Sequence, residues 1–326
     1  MRATEAAQRA LEAARSITFE KAAEQYYEAH EASWKNKKHR QQFRNSLRDY
    51  ALPRLGKLPV ADIEVGLVLQ CLEPHWTTKT ETMSRVRGRV ESILDWCAVR
   101  GYRTGENPAR WKGHLEHILP ARGKVQKTTH FAALPMDDLP AFCRALREQE
   151  GVSARALEFT ILTATRTGEI IGAHWSEIDL AKATWTIPAG RMKASKEHRV
   201  PISKPALEIL AALPRERENP FVFIGPYKAG LSHTAMASVL ARMERRNVTV
   251  HGMRSTFRTW AGERTHYPAH VIEMCLAHTI GSAVERAYAR GDLFAKRARL
   301  MGDWARYCTS KPTKADAKIV ALRRTV

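Results

Sequence analysis

What most constrains this chain is a lapse in its hydrophobic periodicity. From Phe19 to about Trp111, apolar residues recur at three- and four-residue spacings, in segments such as Phe19 to Ala32, His39 to Tyr50, Glu64 to Leu72 and Thr80 to Val99. That spacing predicts packed helices. Between Asn107 and Pro135 the pattern fades, and Pro108, Gly113, Pro120 and Gly123 stand among Lys112, Arg122, Lys124 and Lys127. Beyond it, Met136 to Glu150 and Ala154 to Thr165 return to helical spacing, while TWTIP (Thr184 to Pro188) and HRVPIS (His198 to Ser203) alternate as short strands. Helical spacing resumes from Lys204, with breaks at NPFVFIGP and around Thr265 to Pro268. A chain of 326 residues broken in this way suits two domains. The expected fold is mainly α with a small antiparallel β-sheet. Its parts are an N-terminal helical extension (1–16), a helical domain (17–112), a basic linker (113–133), a mixed α+β domain (134–308) and a basic C-terminal tail (309–326).

The charge narrows the function. Lys and Arg total 53 against 34 for Asp and Glu, a formal +19, so a polyanionic partner is expected. Nucleic acid fits best, because a basic protein gains affinity by releasing counterions from phosphates. A membrane fits less well: no apolar run is long enough to span a bilayer, and the opening MRATEAAQRALEAARSITFEKAAEQYY is charged and helical, unlike a signal peptide. A bacterial cytoplasmic location at the nucleoid is expected. The five cysteines are odd in number and form no CxxC pair, which predicts reduced, buried thiols and neither a metal site nor a cofactor. In KNKKHRQQFRNSLRDY, Trp34, Phe43 and Leu47 can pack while Lys35, Lys37, Lys38, Arg40 and Arg44 meet phosphates; a solvated basic face is the alternative. Lys124 and Lys127 are placed to follow the sugar-phosphate backbone from the linker.

Several stretches carry residues suited to chemistry on a phosphate. In TATRTGEIIGAHWSEIDL, Arg166 follows an apolar helix beside Ile161, Leu162 and Ile170, a costly place for a guanidinium unless it faces an anion or pairs with a carboxylate. Glu169 supplies the second explanation. In HGMRSTFRTWAGE, His251 and Arg254 fall at i and i+3, on one helix face. Arg donates two parallel hydrogen bonds to a phosphate and His can move a proton, although HxxR alone fits a structural His beside a surface Arg better. Lys193, in the turn GRMKASKEH between the two strands, is either inert or a proton donor to a leaving oxygen. Downstream, His278 precedes Tyr288, which Arg286 and Arg290 flank; Tyr288 is either a core aromatic or a phosphate-facing hydroxyl.

Arg166, Lys193, His251 with Arg254, His278 and Tyr288, in that order, resemble the site of the tyrosine recombinases, the phage-integrase family. The resemblance covers roughly Leu134 to Cys308 as the catalytic domain and, more loosely, Phe19 to Trp111 as the core-binding domain. HFAALPMDDLPAF, WTIPAGRMKASKEHRVPIS, HGMRSTFRTWA and AYARGDLFAKRARLMGDWARYC are most similar to integrases of prophages and genomic islands of the satellite-phage type.

The resemblance implies that Arg166 and Arg254 clamp the scissile phosphate and Tyr288 attacks it to form a 3′-phosphotyrosine. It implies further that His251 is the base, Lys193 the general acid and His278 a hydrogen-bond donor, with Glu169 orienting its neighbours. Lys196, on the same turn, competes with Lys193 for the acid role. The implied partners are double-stranded DNA attachment core sites, a tetramer on DNA, and DNA-bending accessory proteins or a directionality factor. Leu300, Trp304 and Tyr307 form an apolar stripe that either packs on its own domain or docks on a neighbouring protomer. Integrases of this type normally carry a further N-terminal arm-binding domain, and only a short helical stretch precedes the core-binding region here, as expected of a truncated or simpler relative. A topoisomerase-like nicking and resealing enzyme and a catalytically inactive DNA-binding relative are the alternatives.

Overall fold

A computed structural model describes residues 16–34, 36–126, 132–278 and 291–310. The chain divides between Thr128 and Thr129 into two compact units.

The first unit is helical. Helix α1 (Phe19–Glu31) begins where the Thr18 hydroxyl accepts the Lys21 N–H, and it buries Phe19, Ala22, Ala23 and Tyr27. Asn36 caps α2 (Lys37–Ser46) by accepting from the Lys38 and His39 N–H groups; a turn of π-helix (Leu47–Ala51) then leads into the short α3 (Leu52–Leu55). Helices α4 (Val65–Trp76) and α5 (Thr80–Val99) complete the bundle. Along α5, Met83, Val86, Val90, Ile93, Leu94 and Cys97 are buried at three- and four-residue steps, so this helix forms the floor on which α1, α2 and α4 pack.

The first part of the expected linker is built into this unit. Leu115 and Leu119 are buried, Trp111 stacks on Trp76 at 5.6 Å between ring centroids, and the Trp76 indole donates to the Pro120 carbonyl at 2.9 Å. Trp111, Leu115 and Leu119 lie four residues apart, and their burial holds the chain against the bundle through α6 (Arg122–Val125). Lys35 and Lys127 lie outside the described residues.

The second unit surrounds α8 (Val152–Thr163), which is buried over most of its surface, its buried Glu158 paired with Arg147 and Arg155. Against it pack α7 (Leu139–Arg147), α10 (Lys204–Ala212), α11 (Ala235–Arg242), α12 (Gly252–Arg264) and α14 (Phe294–Cys308). The short α9 (Thr167–Ile171) follows α8 directly, and α13 (Ala269–Cys275) packs on α12 and α14. The antiparallel sheet has the order β1 (Ile178–Asp179), β2 (Thr184–Ile187), β3 (His198–Pro201). Trp185 sits between Ile178 and Val200 in register, and Trp185, Ile187 and Val200 are buried.

The stripe on α14 packs on its own unit. Leu300 and Trp304 are fully buried, the Trp304 indole donates to the Ile161 carbonyl at 2.7 Å, and the Tyr307 hydroxyl donates to the Met136 carbonyl at 2.9 Å. Side chains of this size each contribute roughly 1.5–3 kcal/mol on burial, which fixes the helix in place. All five cysteines are buried and unpaired. No helix among the described residues is long and apolar enough to cross a membrane.

Candidate active site

The site is assembled where α8 ends. Ala164 takes the left-handed conformation (φ 51°), turning the chain sharply and exposing its carbonyl, and Arg166 then opens α9 from extended backbone. The buried Glu169, one turn on, accepts from the Arg166 N–H at 2.7 Å and from Arg166 Nη1 at 2.8 Å. That pairing holds the guanidinium across the start of its own helix, and Arg166 Nη2 donates to the carbonyls of Leu276 (3.2 Å) and Ala277 (3.3 Å).

Arg254 reaches the same place from the first turn of α12. Its Nη1 donates to the Ala164 carbonyl and its Nη2 to the Leu276 carbonyl at 2.6 Å. Two guanidinium groups from separate helices therefore share one acceptor, the carbonyl of Leu276. Arg254 Nη2 also donates to His278 Nε2 at 3.3 Å, and His278 Nδ1 donates to Glu273 at 2.5 Å. The sequence permits this crowding at Gly252: a Cβ there would overlap the carbonyl oxygen of Ala132, where the chain enters the unit.

The electrostatics are those of an anion site. Arg254 is 5% exposed and bonds to no carboxylate among the described residues. Burial and then repulsion from Arg166 lower its pKa to about 10, which leaves it a cation at neutral pH. His251, placed immediately before α12, keeps an exposed edge. Even so, the surrounding protein and then Arg254, Arg166 and His278 lower its pKa from the ordinary imidazole value, favouring the neutral base. Burial alone would raise Glu273, but hydrogen bonds from His278 and Arg258 outweigh it and hold the carboxyl below its usual range.

Arg166, Glu169, His251, Arg254 and His278 thus come together. Lys193 and Lys196 are exposed on the β2–β3 connection, and no hydrogen bond joins Lys193 to this cluster among the described residues. Tyr288, with Arg286 and Arg290, lies outside the described residues. Tyr307, the next tyrosine along, is engaged in packing through its bond to Met136 and its stack on Trp260. Two further residues at the site carry little sequence signal: Glu273, marked only by its position five residues before His278, and His198 on β3. Burial and then Arg297 push His198 down to about 4, with Arg166 and Arg254 adding to the fall, so it stands neutral within range of the arginine pair.

In the first unit, Lys37, Lys38 and Lys124 are exposed. Arg40 and Arg44 are already occupied: Arg40 donates to the Trp34 carbonyl and pairs with Glu31, and Arg44 pairs with Glu24 at 2.6 Å over the Tyr27 ring.

Comparison with known proteins places these features in a family. Residues 19–114 match the phage integrase central domain, and residues 133–293 match the phage integrase family. The chain is 32% identical over 291 residues to the prophage integrase IntZ of Escherichia coli (strain K12), covering 88% of this chain and 70% of that protein. It is 30% identical over 271 residues to the integrase of Shigella phage Sf6, covering 81% and 68%. Among solved structures, a lambda integrase(75–356) dimer bound to a COC′ core site superposes with a TM-score of 0.64 at 14% identity, covering 81% of this chain and 96% of that one. The Tn1549 transposon integrase in complex with a circular intermediate DNA superposes at 0.65 and 12% identity, covering 95% and 100%.

Proposed function

This chain belongs to the phage integrase family, and we propose that its clustered cations grip one DNA phosphate while Tyr288 attacks it. The protein is a tyrosine recombinase, a site-specific enzyme of integration and excision. In our reading Arg166 and Arg254 donate to the non-bridging oxygens of the scissile phosphate and stabilise the charge that builds as phosphorus becomes five-coordinate. The Tyr288 oxygen bonds to phosphorus, its proton passes to neutral His251, and the bond to the 5′ oxygen breaks as Lys193 protonates it. The products are a 3′-phosphotyrosine and a 5′-hydroxyl strand. In the return step a 5′ hydroxyl attacks, the tyrosine leaves, and the bond energy is retained. As an imidazolium donating from both ring nitrogens, His278 keeps its bond to Glu273 and adds one from Nε2 to the phosphate once Arg254 turns from that nitrogen to the phosphate, and Glu169 keeps Arg166 aimed.

One observation carries this reading: two guanidinium groups converge on the Leu276 carbonyl, and the more buried of them, Arg254, bonds to no carboxylate among the described residues. Like charges at that spacing repel, and a doubly contacted phosphate supplies the missing anion. The partner is duplex DNA carrying attachment core sites, engaged by a tetramer in the bacterial nucleoid, with DNA-bending or directionality proteins selecting the outcome. Lys37, Lys38 and Lys124 contribute backbone contacts.

The test is covalent capture. Wild type and Tyr288→Phe are incubated in EDTA with end-labelled, nicked DNA carrying the attachment core, and label retained on denatured protein is measured. An adduct with wild type and none with Tyr288→Phe is the expected result. Tight binding with no adduct from wild type would instead support the binding-only alternative, and an adduct that persists in Tyr288→Phe would overturn the nucleophile.

A further inference from the structure

A second buried arginine in the same unit has a different set of partners. Arg297, in the first turn of α14, is 1% exposed, yet every nitrogen of its guanidinium is bonded. Nε donates to the Asp292 carbonyl at 2.7 Å, Nη2 to the Asp292 carboxylate at 3.0 Å, and Nη1 to the Arg199 carbonyl on β3 at 2.5 Å. The Arg199 side chain reaches the same carboxylate at 3.3 Å, and both guanidiniums lie over the Phe294 ring. A well-packed apolar side chain would hold α14 against the sheet at no desolvation cost, so packing alone does not call for a guanidinium here.

The location of Asp292 in the chain gives the group a use. Tyr288 precedes Asp292 by four residues, a stretch that spans at most roughly 14 Å fully extended. The chain before Tyr288 is fixed at His278, through its bonds to Glu273 and Arg254. The chain after it is fixed at Asp292. Resting on the proposed role of Tyr288, we infer that Arg297, Asp292 and the Arg199 carbonyl form a latch that sets the reach of the nucleophile, with Arg297 and Asp292 as positioning residues that touch no reacting atom. The bond to Arg199 matters because β3 leaves the connection that carries Lys193, so the latch refers the nucleophile's segment to the strand beside the general acid.

This role predicts a split between two half-reactions. Cleavage needs Tyr288 in place. Joining a strand whose 3′ phosphate already carries a free tyrosine ester needs the arginine pair and an attacking 5′ hydroxyl, but not Tyr288. The experiment measures both rates for wild type, Arg297→Lys and Asp292→Asn, together with DNA affinity and melting temperature. Asp292→Asn keeps shape at a side chain that is 42% exposed, so it remains informative if the buried substitution fails to fold. The expected result is cleavage slowed about 100-fold in both variants, the cost of a misplacement near 1 Å, with joining and DNA affinity close to wild type. Cleavage and joining falling together would show a structural role and overturn the latch, as would both variants cleaving at the wild-type rate. Failure of wild type itself to form the adduct would remove the reading on which the latch rests, a result distinct from either.

Discussion

Each unit buries an arginine on backbone carbonyls, and the two sites differ in the groups that gather at those acceptors. In the first, Arg103 is 5% exposed and donates to the carbonyls of Val60 and Glu106. In the second, Arg254 is equally buried and donates to the carbonyls of Ala164 and Leu276. Taken singly, both are guanidinium ties between segments distant in sequence. Arg254, however, shares its Leu276 acceptor with Arg166 and meets His278, whereas no second cation shares the carbonyls of Arg103 among the described residues. Burial of an arginine is therefore weak evidence of an anion site. Convergence of a second cation on the same acceptor is the discriminating feature, because it adds cation–cation repulsion at a buried point.

The sharpest way to break this comparison is to truncate both. Arg254→Ala should lower the cleavage rate by about 1000-fold, the upper range for losing one preorganised donor to developing charge, and Arg254→Lys should recover little because an ammonium lacks the planar fork. Arg103→Ala should leave the cleavage rate of folded protein unchanged. Its cost should be in stability, about 1–3 kcal/mol for stranding buried hydrogen-bond partners, seen as a lower melting temperature. A loss of cleavage in Arg103→Ala without a fall in melting temperature would dissolve the distinction.

The cation crowding can be sharpened by pH. His251 accepts the Tyr288 proton only when neutral, and its pKa lies below the ordinary imidazole value because of the protein around it and then Arg254, Arg166 and His278. The sign follows: protonation removes the base, so cleavage should fall with decreasing pH, and its acid limb should lie below pH 6.5, the ordinary value. Single-turnover rates across pH 4.5 to 8 check this. An acid limb above the ordinary imidazole range would mean that the cations do not bear on the base.

These sites also mark where sequence reading stops. Helical period alone delimits Thr80–Val99, whose bounds in the structure are the same as those expected, since Met83 through Cys97 repeat on one buried face. It does not foresee the π-turn at Leu47–Ala51 or the persistence of α4 through Pro74 to Trp76, which tertiary packing of Trp76 on Trp111 supports. The two-residue strand β1 is too short to show alternation. Arg166, His251 and Arg254 were legible as a motif, but the acceptor that unites the arginines is a backbone carbonyl 110 residues from Arg166, and carbonyls have no sequence signature. Glu273 and Arg297 are illegible for the same reason: an acid or base reads as surface until the fold shows what it touches.

The smallest expected effect lies in the first unit, where basic residues divide into paired and unpaired. Arg44 is held by Glu24 and rests over the Tyr27 ring at 3.9 Å, whereas Lys37 and Lys38 on the same helix are exposed and form no ion pair among the described residues. A cation already neutralised by a carboxylate releases few counterions when a phosphate approaches, because the pair must open first. Arg44→Ala should therefore change the log-log salt slope of DNA binding little, and cost at most about 1 kcal/mol of stability for its exposed pair. Lys37→Ala should lower the slope by about 0.9 if that side chain meets a phosphate. Titrations of both variants between low and moderate salt separate the cases. A full phosphate's worth of slope lost in Arg44→Ala would mean that DNA displaces Glu24, making the pair in the free protein a competitor for the phosphate.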